Sequence, residues 1–359
     1  VKIFITGIAG FLGSHLADAL IADGHEVHGN DNFICGDFKN IPAKARFTYF
    51  NMPDGSRRGL DCREFNSLKE ALSLIKPDVV VHCAATAAEG FSVFSPSFIT
   101  KNIYEASVSV FSAAIAAGAK RIVNMSSMAR YGNGQMTCWN EEDRTSNNSA
   151  KIDLPFRESH ETKPIDPYGI AKVAAEQTLK VLCETHDVKW TTAVPHNIIG
   201  TKQEITPYRN VVSIFLNRLK LGLPVYIYGD GNQKRCFSPV KDCLHSLVKM
   251  VDGAADGEVV NIGPDGGEIT INELLSLCEK VTGIVTERVY LPPRPVTDTV
   301  KEAYCSSDKA RRLLGFEPQQ SLEDCIAEMA AAMKPKIFDY SFPIEIESDK
   351  LPRTWREKL

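Results

Sequence analysis

No apolar run in the chain approaches the roughly 20 residues that a membrane-spanning helix needs, so no membrane partner is expected. There is no basic excess either: 41 Lys and Arg stand against 45 Asp and Glu, a formal charge of −4. Without a cationic stripe to release counterions from a phosphate backbone, nucleic acid is not an expected partner. The ten cysteines contain no C-x-x-C pair, which leaves a zinc ribbon or a dithiol redox motif without its ligand spacing. Cys236 and Cys243 are near in sequence but have no further ligands around them, and no metal site is expected. A charged leader followed by an apolar h-region is missing too, so free thiols in a reducing cytoplasm are the expectation. No repeat of fixed period occurs.

What remains is an ordinary globular composition. The 359 residues are 43% hydrophobic and 24% charged, enough to bury one large core or two modest ones. Up to about residue 200, short β-branched runs alternate with helical segments. Lys2-Ile3-Phe4-Ile5, His25-Glu26-Val27-His28, Val79-Val80-Val81-His82, Arg121-Ile122-Val123 and Thr191-Thr192-Ala193-Val194 read as strands. That alternation implies βαβ units. The expected class is α/β: a Rossmann-type doubly wound parallel sheet with a smaller α/β cap domain. Beyond residue 200, Pro and Gly break the chain into shorter pieces such as Thr206-Pro207-Tyr208-Arg209 and Tyr228-Gly229-Asp230-Gly231. We therefore expect a nucleotide-binding domain over 1–198 with 236–263 returning to it, a cap over 199–235 and 264–334, and an irregular C-terminal arm over 335–359.

The first strand runs into Gly7-Ile8-Ala9-Gly10-Phe11-Leu12-Gly13, and a helical pattern follows at once. Glycine permits positive φ and a close backbone approach, so Gly7, Gly10 and Gly13, with Phe11 and Leu12, form a cradle for a pyrophosphate at a helix N-terminus. A glycine pattern alone is weak evidence. Here it lies between strand and helix, and the second strand ends at Asn30-Asp31-Asn32. Asp31 is placed to accept hydrogen bonds from a ribose and to repel a 2′-phosphate, which favours NAD over NADP.

Tyr168-Gly169-Ile170-Ala171-Lys172 opens a helix after Pro164-Ile165-Asp166-Pro167, so Tyr168 and Lys172 share one face. A free phenol titrates too high to act as a base at neutral pH. An adjacent ammonium and a cationic nicotinamide are expected to bring it down. Ser127, behind the run Arg121 to Met125, would hold a substrate hydroxyl against Tyr168.

Taken together, these residues resemble the extended short-chain dehydrogenase/reductases, in the nucleotide-sugar epimerase/dehydratase branch typified by UDP-galactose 4-epimerase. The likeness runs from residue 1 to about 330. It includes Leu60-Asp61-Cys62-Arg63, which is similar to an adenine-contacting segment, Cys83-Ala84-Ala85-Thr86 after a strand, Asn102, and Ser126-Ser127 through Tyr131-Gly132. It continues through His196-Asn197-Ile198-Ile199-Gly200, Asp230-Gly231-Asn232-Gln233-Lys234-Arg235 and Arg294-Pro295. The resemblance implies NAD as cofactor, held also by Asn32, Asp61, Cys62, Ala84, Ala85, Thr86, Asn102, Ser126, Tyr168 and Lys172. It implies a nucleotide-diphosphate sugar as substrate, contacted by Ser127, Met128, His196, Asn197, Asn210, Val211, Arg235 and Arg294, the two arginines gripping phosphate oxygens. It also implies a homodimer through helices that include 102–117 and 168–186, although apolar periodicity does not separate a dimer face from a core face.

In the related 4,6-dehydratases an Asp-Glu pair follows the catalytic hydroxyl, and in the decarboxylases a Glu stands there. Here Met128 and Ala129 occupy those places, and neither moves a proton. A 4-epimerase does not need them: Tyr168 takes the C4 hydroxyl proton, hydride is exchanged with NAD, and a transient 4-keto sugar turns over. The expected function is C4 epimerisation of a UDP-hexose or UDP-N-acetylhexosamine. The alternative is a dehydratase of the same fold, drawing an acid from the 133–153 insertion (Glu141, Glu142, Asp143) or from His196, and a second alternative is a non-catalytic NAD sensor. The insertion arises because 36 residues separate Tyr131 from Tyr168.

Overall fold

The computed structural model describes residues 1–52, 54–134, 153–296, 298 and 300–359. The expected insertion, with Glu141, Glu142 and Asp143, lies almost wholly outside the described residues.

Seven strands form one sheet: β1 (Lys2–Thr6), β2 (Glu26–Asn30), β3 (Arg46–Phe47), β4 (Val79–His82), β5 (Arg121–Met125), β6 (Lys189–Pro195) and β7 (Val259–Ile262). Their spatial order is β7-β6-β5-β4-β1-β2-β3, and every neighbouring pair is parallel. β4 is Val79-Val80-Val81-His82 and is buried at every position, as a parallel strand covered on both faces should be. The order reverses between β1 and β4, and the crevice beyond their carboxyl ends is where doubly wound folds bind ligands.

Four helices cover the sheet early in the chain: α1 (Phe11–Ala22), α2 (Phe65–Ile75), α3 (Ala106–Ala116) and α4 (Pro167–Thr185). One face packs Leu16 and Leu20 of α1 with Leu247, Met250 and Val251 of the helix Val240–Val251. The other packs Val110 and Phe111 of α3 with Ala175 and Leu179 of α4 against Phe4, Val80 and Ile122. Much of the apolar surface of α3 and α4 is thus spent on their own sheet, while Ile170 and Val181 of α4 stay exposed.

The second lobe has its own core around Phe215, Leu216, Ile227, Leu274 and Ile326. Its helices are Val211–Lys220, Ile271–Thr282 and Leu322–Ala332, and its strands include Val225–Tyr228 paired in parallel with Arg288–Leu291. Ala310, Leu314 and Phe316, within the segment expected to be cap, pack instead into the core of the sheet lobe. Ala310 and Leu314 lie on the helix Asp308–Leu314, which packs on the helix Val240–Val251.

The C-terminal arm is irregular but docked. Leu351 and Trp355 are buried, the Trp355 indole donates to the Pro207 carbonyl at 3.0 Å, and the Phe342 ring stacks on Tyr208 at 4.9 Å. The Glu345 carboxylate accepts from the amides of Ser97 and Phe98 at 2.8 and 2.7 Å.

Candidate active site

A cavity of about 470 Å³ lies between the two lobes and reaches from the glycine loop to the arm. At its sheet end, Gly7 has φ +71° and a Cβ there would sit 2.8 Å from the Ala84 backbone. A Cβ on Gly13 would strike the Gly7 carbonyl oxygen. Only a glycine loop lets the start of α1 come this close to β1, which leaves backbone amides at the helix start facing the cavity. Phe11 and Leu12 form that first turn and line the same space.

Asp31 stands at the end of β2, buried, with its carboxylate accepting from the Ala9 amide at 3.0 Å and the Phe33 amide at 2.8 Å. Burial raises its pKa against those hydrogen bonds. Beside it, the Asn32 amide donates to Asp61 at 2.8 Å, and Arg63 grips the same carboxylate at 3.0 and 2.7 Å. Burial pushes the Asp61 carboxyl up, but the Arg63 fork and Asn32 outweigh it and the net shift is downward. Cys62, Ala84, Ala85, Thr86 and Asn102 border the cavity as well. The Asn102 side chain donates to the Phe98 carbonyl at 2.8 Å. These residues fit NAD: the glycine cradle has room that side chains would fill, and a buried carboxylate stands where a ribose would lie.

Tyr168 sits in the first turn of α4, whose N-cap is Asp166, accepting from the Gly169 amide at 2.8 Å. The Ser127 side chain acts on its hydroxyl to lower its pKa. Ser127 Oγ also accepts from the Ala129 amide at 3.2 Å. Lys172, one turn on, has its Nζ 5.9 Å from the Tyr168 ring centre and donates to the Met125 carbonyl at 2.7 Å. Burial lowers its pKa to about 8.

The expectation is that the ammonium and a cationic nicotinamide act together, and the chain's own groups by themselves leave the phenol high. Burial raises the Tyr168 pKa and the Glu89 charge raises it further, against the influence of Ser127 and the Arg209 charge. Lys172 is turned toward a backbone carbonyl. A lowered phenol therefore requires the positive charge of a bound nicotinamide in addition to the chain's own cations.

Ser126 borders the cavity, yet its hydroxyl donates to Glu176, which also pairs with Arg130 at 3.2 Å in a buried network. The expected cofactor contact of Ser126 is thus limited to groups other than its hydroxyl hydrogen. His196 is a correction. It lies on the segment between β6 and Ile198–Ile199, but its ring is fully buried rather than on the cavity wall, with its centre 6.3 Å from that of Tyr131. Burial drives its pKa to about 3, so it is neutral and carries no proton to a sugar. Its neighbours Pro195 and Asn197 border the cavity instead.

At the cap end, Met128, Asn197, Asn210, Val211, Arg235 and Arg294 all line the cavity. The polar groups of several are already engaged. Asn210 caps the helix Val211–Lys220 by accepting from the Val212 amide at 2.9 Å, and Asn197 donates to the Cys236 carbonyl at 2.8 Å. Arg235 donates to the Val300 carbonyl at 2.9 Å. Arg294 pairs with Asp298 at 2.9 Å and lies 5.1 Å from the Tyr228 ring centre. Each guanidinium has five donors, so both retain capacity for phosphate oxygens.

Sequence reasoning missed Glu89, Arg209, Arg218, Tyr226, Tyr340 and Trp355, all of which line the cavity. Glu89 had a readable signal: it is the lone acid in Ala84-Ala85-Thr86-Ala87-Ala88-Glu89-Gly90, just past the strand beside the switch point. The arm residues had none, since nothing periodic points them inward. Among the described residues no group of His, Cys, Asp and Glu is arranged to hold a metal ion.

The family model for the NAD dependent epimerase/dehydratase family matches residues 3–263. The chain belongs to that family. Its relatives include a UDP-glucose 4-epimerase of Mycolicibacterium smegmatis, 28% identical over 342 residues, which cover 94% of this chain and 99% of the relative. A UDP-N-acetyl-alpha-D-glucosaminuronate decarboxylase of Bacillus cytotoxicus is 27% identical over 338 residues, 91% of this chain and 96% of the relative. A crystal structure of the UDP-glucose 4-epimerase of Thermotoga maritima with UDP-glucose superposes with a TM-score of 0.81 at 30% identity, covering 92% of this chain and 98% of the other. Two family activities, epimerisation and decarboxylation, thus stand at similar distance. The side chains of the cavity have to separate them.

Proposed function

We propose that the protein is an NAD-dependent 4-epimerase of a UDP-hexose or UDP-N-acetylhexosamine. The observation that carries this reading is that Tyr168 and Ser127 line one cavity in which Met128 stands where an eliminating enzyme needs an acid. Tyr168 holds and moves the proton of the sugar C4 hydroxyl, and Ser127 orients that hydroxyl. Lys172, by donating to the Met125 carbonyl, fixes α4 to the end of β5. Arg235 and Arg294 hold the diphosphate so that the sugar alone is free to turn. The glycine loop, Asp31 and the Ala84–Thr86 segment hold NAD, which when bound supplies a reversible hydride acceptor. Family membership supports the cytoplasm as its place and a homodimer as its assembly, with Ile170 and Val181 available on α4.

The buried, neutral His196 weakens the dehydratase alternative, because it removes one of the two acids that reading relied on. Incubation with UDP-glucose in deuterated water is the test. Proton NMR should show UDP-galactose unlabelled at C4, and Tyr168→Phe should lower turnover by about 10²–10⁴-fold while NAD stays bound. Deuterium appearing at C5 or C6 would instead mark elimination.

A further inference from the structure

Among the described residues, Glu89 is the carboxylate at the reactive end of the cavity that the epimerisation above does not use. It opens a short helical turn, Glu89–Ser92. That turn is fastened from behind: Phe91 is fully buried, with ring-centre distances of 4.5 Å to Tyr208, 5.7 Å to Phe342 and 5.9 Å to Trp355. Ser92 donates to the Glu89 carbonyl at 2.6 Å. With its backbone held in this way, the exposed Glu89 side chain lines the cavity. Tyr168 and Asp166 on α4 feel its charge, and Arg209, Arg235 and Arg294 act on it from the cap side. Among the described residues none donates a hydrogen bond to the carboxylate.

We propose that Glu89 is a specificity-determining residue that accepts hydroxyl hydrogens of an uncharged sugar at the Tyr168 end of the cavity and discriminates against a sugar bearing a carboxylate. The inference rests on the epimerase reading and narrows it. It matters because relatives at equal distance differ on this point: one is named for UDP-glucose and another for a glucosaminuronate.

The physical reason is competition for positive charge in an enclosed space. Two of the three arginines that offset Glu89, Arg235 and Arg294, are those expected to hold the diphosphate. Once they face phosphate oxygens, less of their charge is left for Glu89, and a second carboxylate beside it meets like charge at low dielectric. A uronate then enters only by taking up a proton, on itself or on Glu89, whose pKa burial already raises. A hexose hydroxyl brings no charge and offers the carboxylate a donor. Discrimination should therefore be strong in alkali and fade in mild acid.

Calorimetry on the NAD-loaded full chain tests this with UDP, UDP-glucose and UDP-glucuronate, the two sugars at pH 6 and pH 8. At pH 8 the wild type should bind UDP-glucuronate at least about tenfold more weakly than UDP-glucose, and the ratio should shrink at pH 6. Glu89→Gln should bring the two sugars within about threefold at both pH values while binding UDP as the wild type does. Equal binding of both sugars by the wild type, or a ratio that Glu89→Gln leaves unchanged, overturns the proposal. So does loss of UDP binding in the variant, which would place Glu89 at the diphosphate or in the fold. Turnover is read separately: selective binding without C4 epimerisation sinks the epimerase reading and leaves the selectivity standing.

Discussion

Asp166 caps the helix that carries Tyr168, and it does so from a buried position within reach of the Glu89 charge. Burial, and then Glu89, raise its pKa to about 7, against the amide hydrogen bonds from α4. In the unfolded chain the carboxyl ionises near pH 4, whereas in the folded chain it stays protonated to about pH 7, so its contribution to stability is complete below pH 4 and lost as pH rises to 7. Asparagine caps a helix as well as aspartate does and has no charge to bury. Asp166→Asn should therefore match the wild type in urea near pH 4 and exceed it by on the order of 1–3 kcal/mol at pH 8. An advantage that does not change with pH would remove buried charge as its cause. The contrast with Asp61 is instructive: Arg63 forks onto that carboxylate, and its pKa falls despite burial.

Among the elements, the C-terminal arm departs most from its irregular appearance. It lacks helical or strand periodicity, yet Phe338, Tyr340, Thr354 and Trp355 line the cavity, and the Tyr228 hydroxyl is hydrogen-bonded to Thr354 at 2.7 Å. The arm is the outer wall of the site and the cover of the Phe91 turn that presents Glu89. Trp355 ties the two functions together through Phe91, Phe94 and Tyr208. Trp355→Ala should cost about 3–5 kcal/mol in urea unfolding and weaken UDP-sugar binding more than NAD binding. Equal loss of both ligands would mean that the arm acts on global stability alone.

At the scale of the whole molecule, the cavity is shared by two lobes with separate cores. NAD is expected on the sheet side and the nucleotide sugar on the cap side, so each should stabilise the folded chain independently. A ligand at a hundredfold excess over its Kd adds about 2.7 kcal/mol. Thermal unfolding should shift upward with NAD, and again when UDP is added to the NAD-loaded protein. No shift with NAD, in a preparation free of bound cofactor, would remove the cofactor assignment.

How far the sequence carries the reading depends on the distance over which a feature is specified. The glycine loop is seven consecutive residues between a strand and a helix, and Tyr168 and Lys172 are one turn apart. Both were legible because local geometry alone sets them. The absence of an acid pair at Met128 and Ala129 was legible for the same reason. What Lys172 does with its charge was not, because its partner is the Met125 carbonyl at the end of β5, 47 positions away.

By itself the sequence determined the sheet, the glycine loop between strand and helix, and the placing of Tyr168 and Lys172 one turn apart, since strand alternation, glycine φ and helical spacing are properties of neighbouring residues. Only the tertiary structure decided that His196 is buried and neutral, that Glu89 lines the cavity, and that the arm walls it. Those outcomes depend on which surfaces meet across gaps of a hundred residues or more, as Trp355 meets Pro207, and on the loss of water that follows when they do.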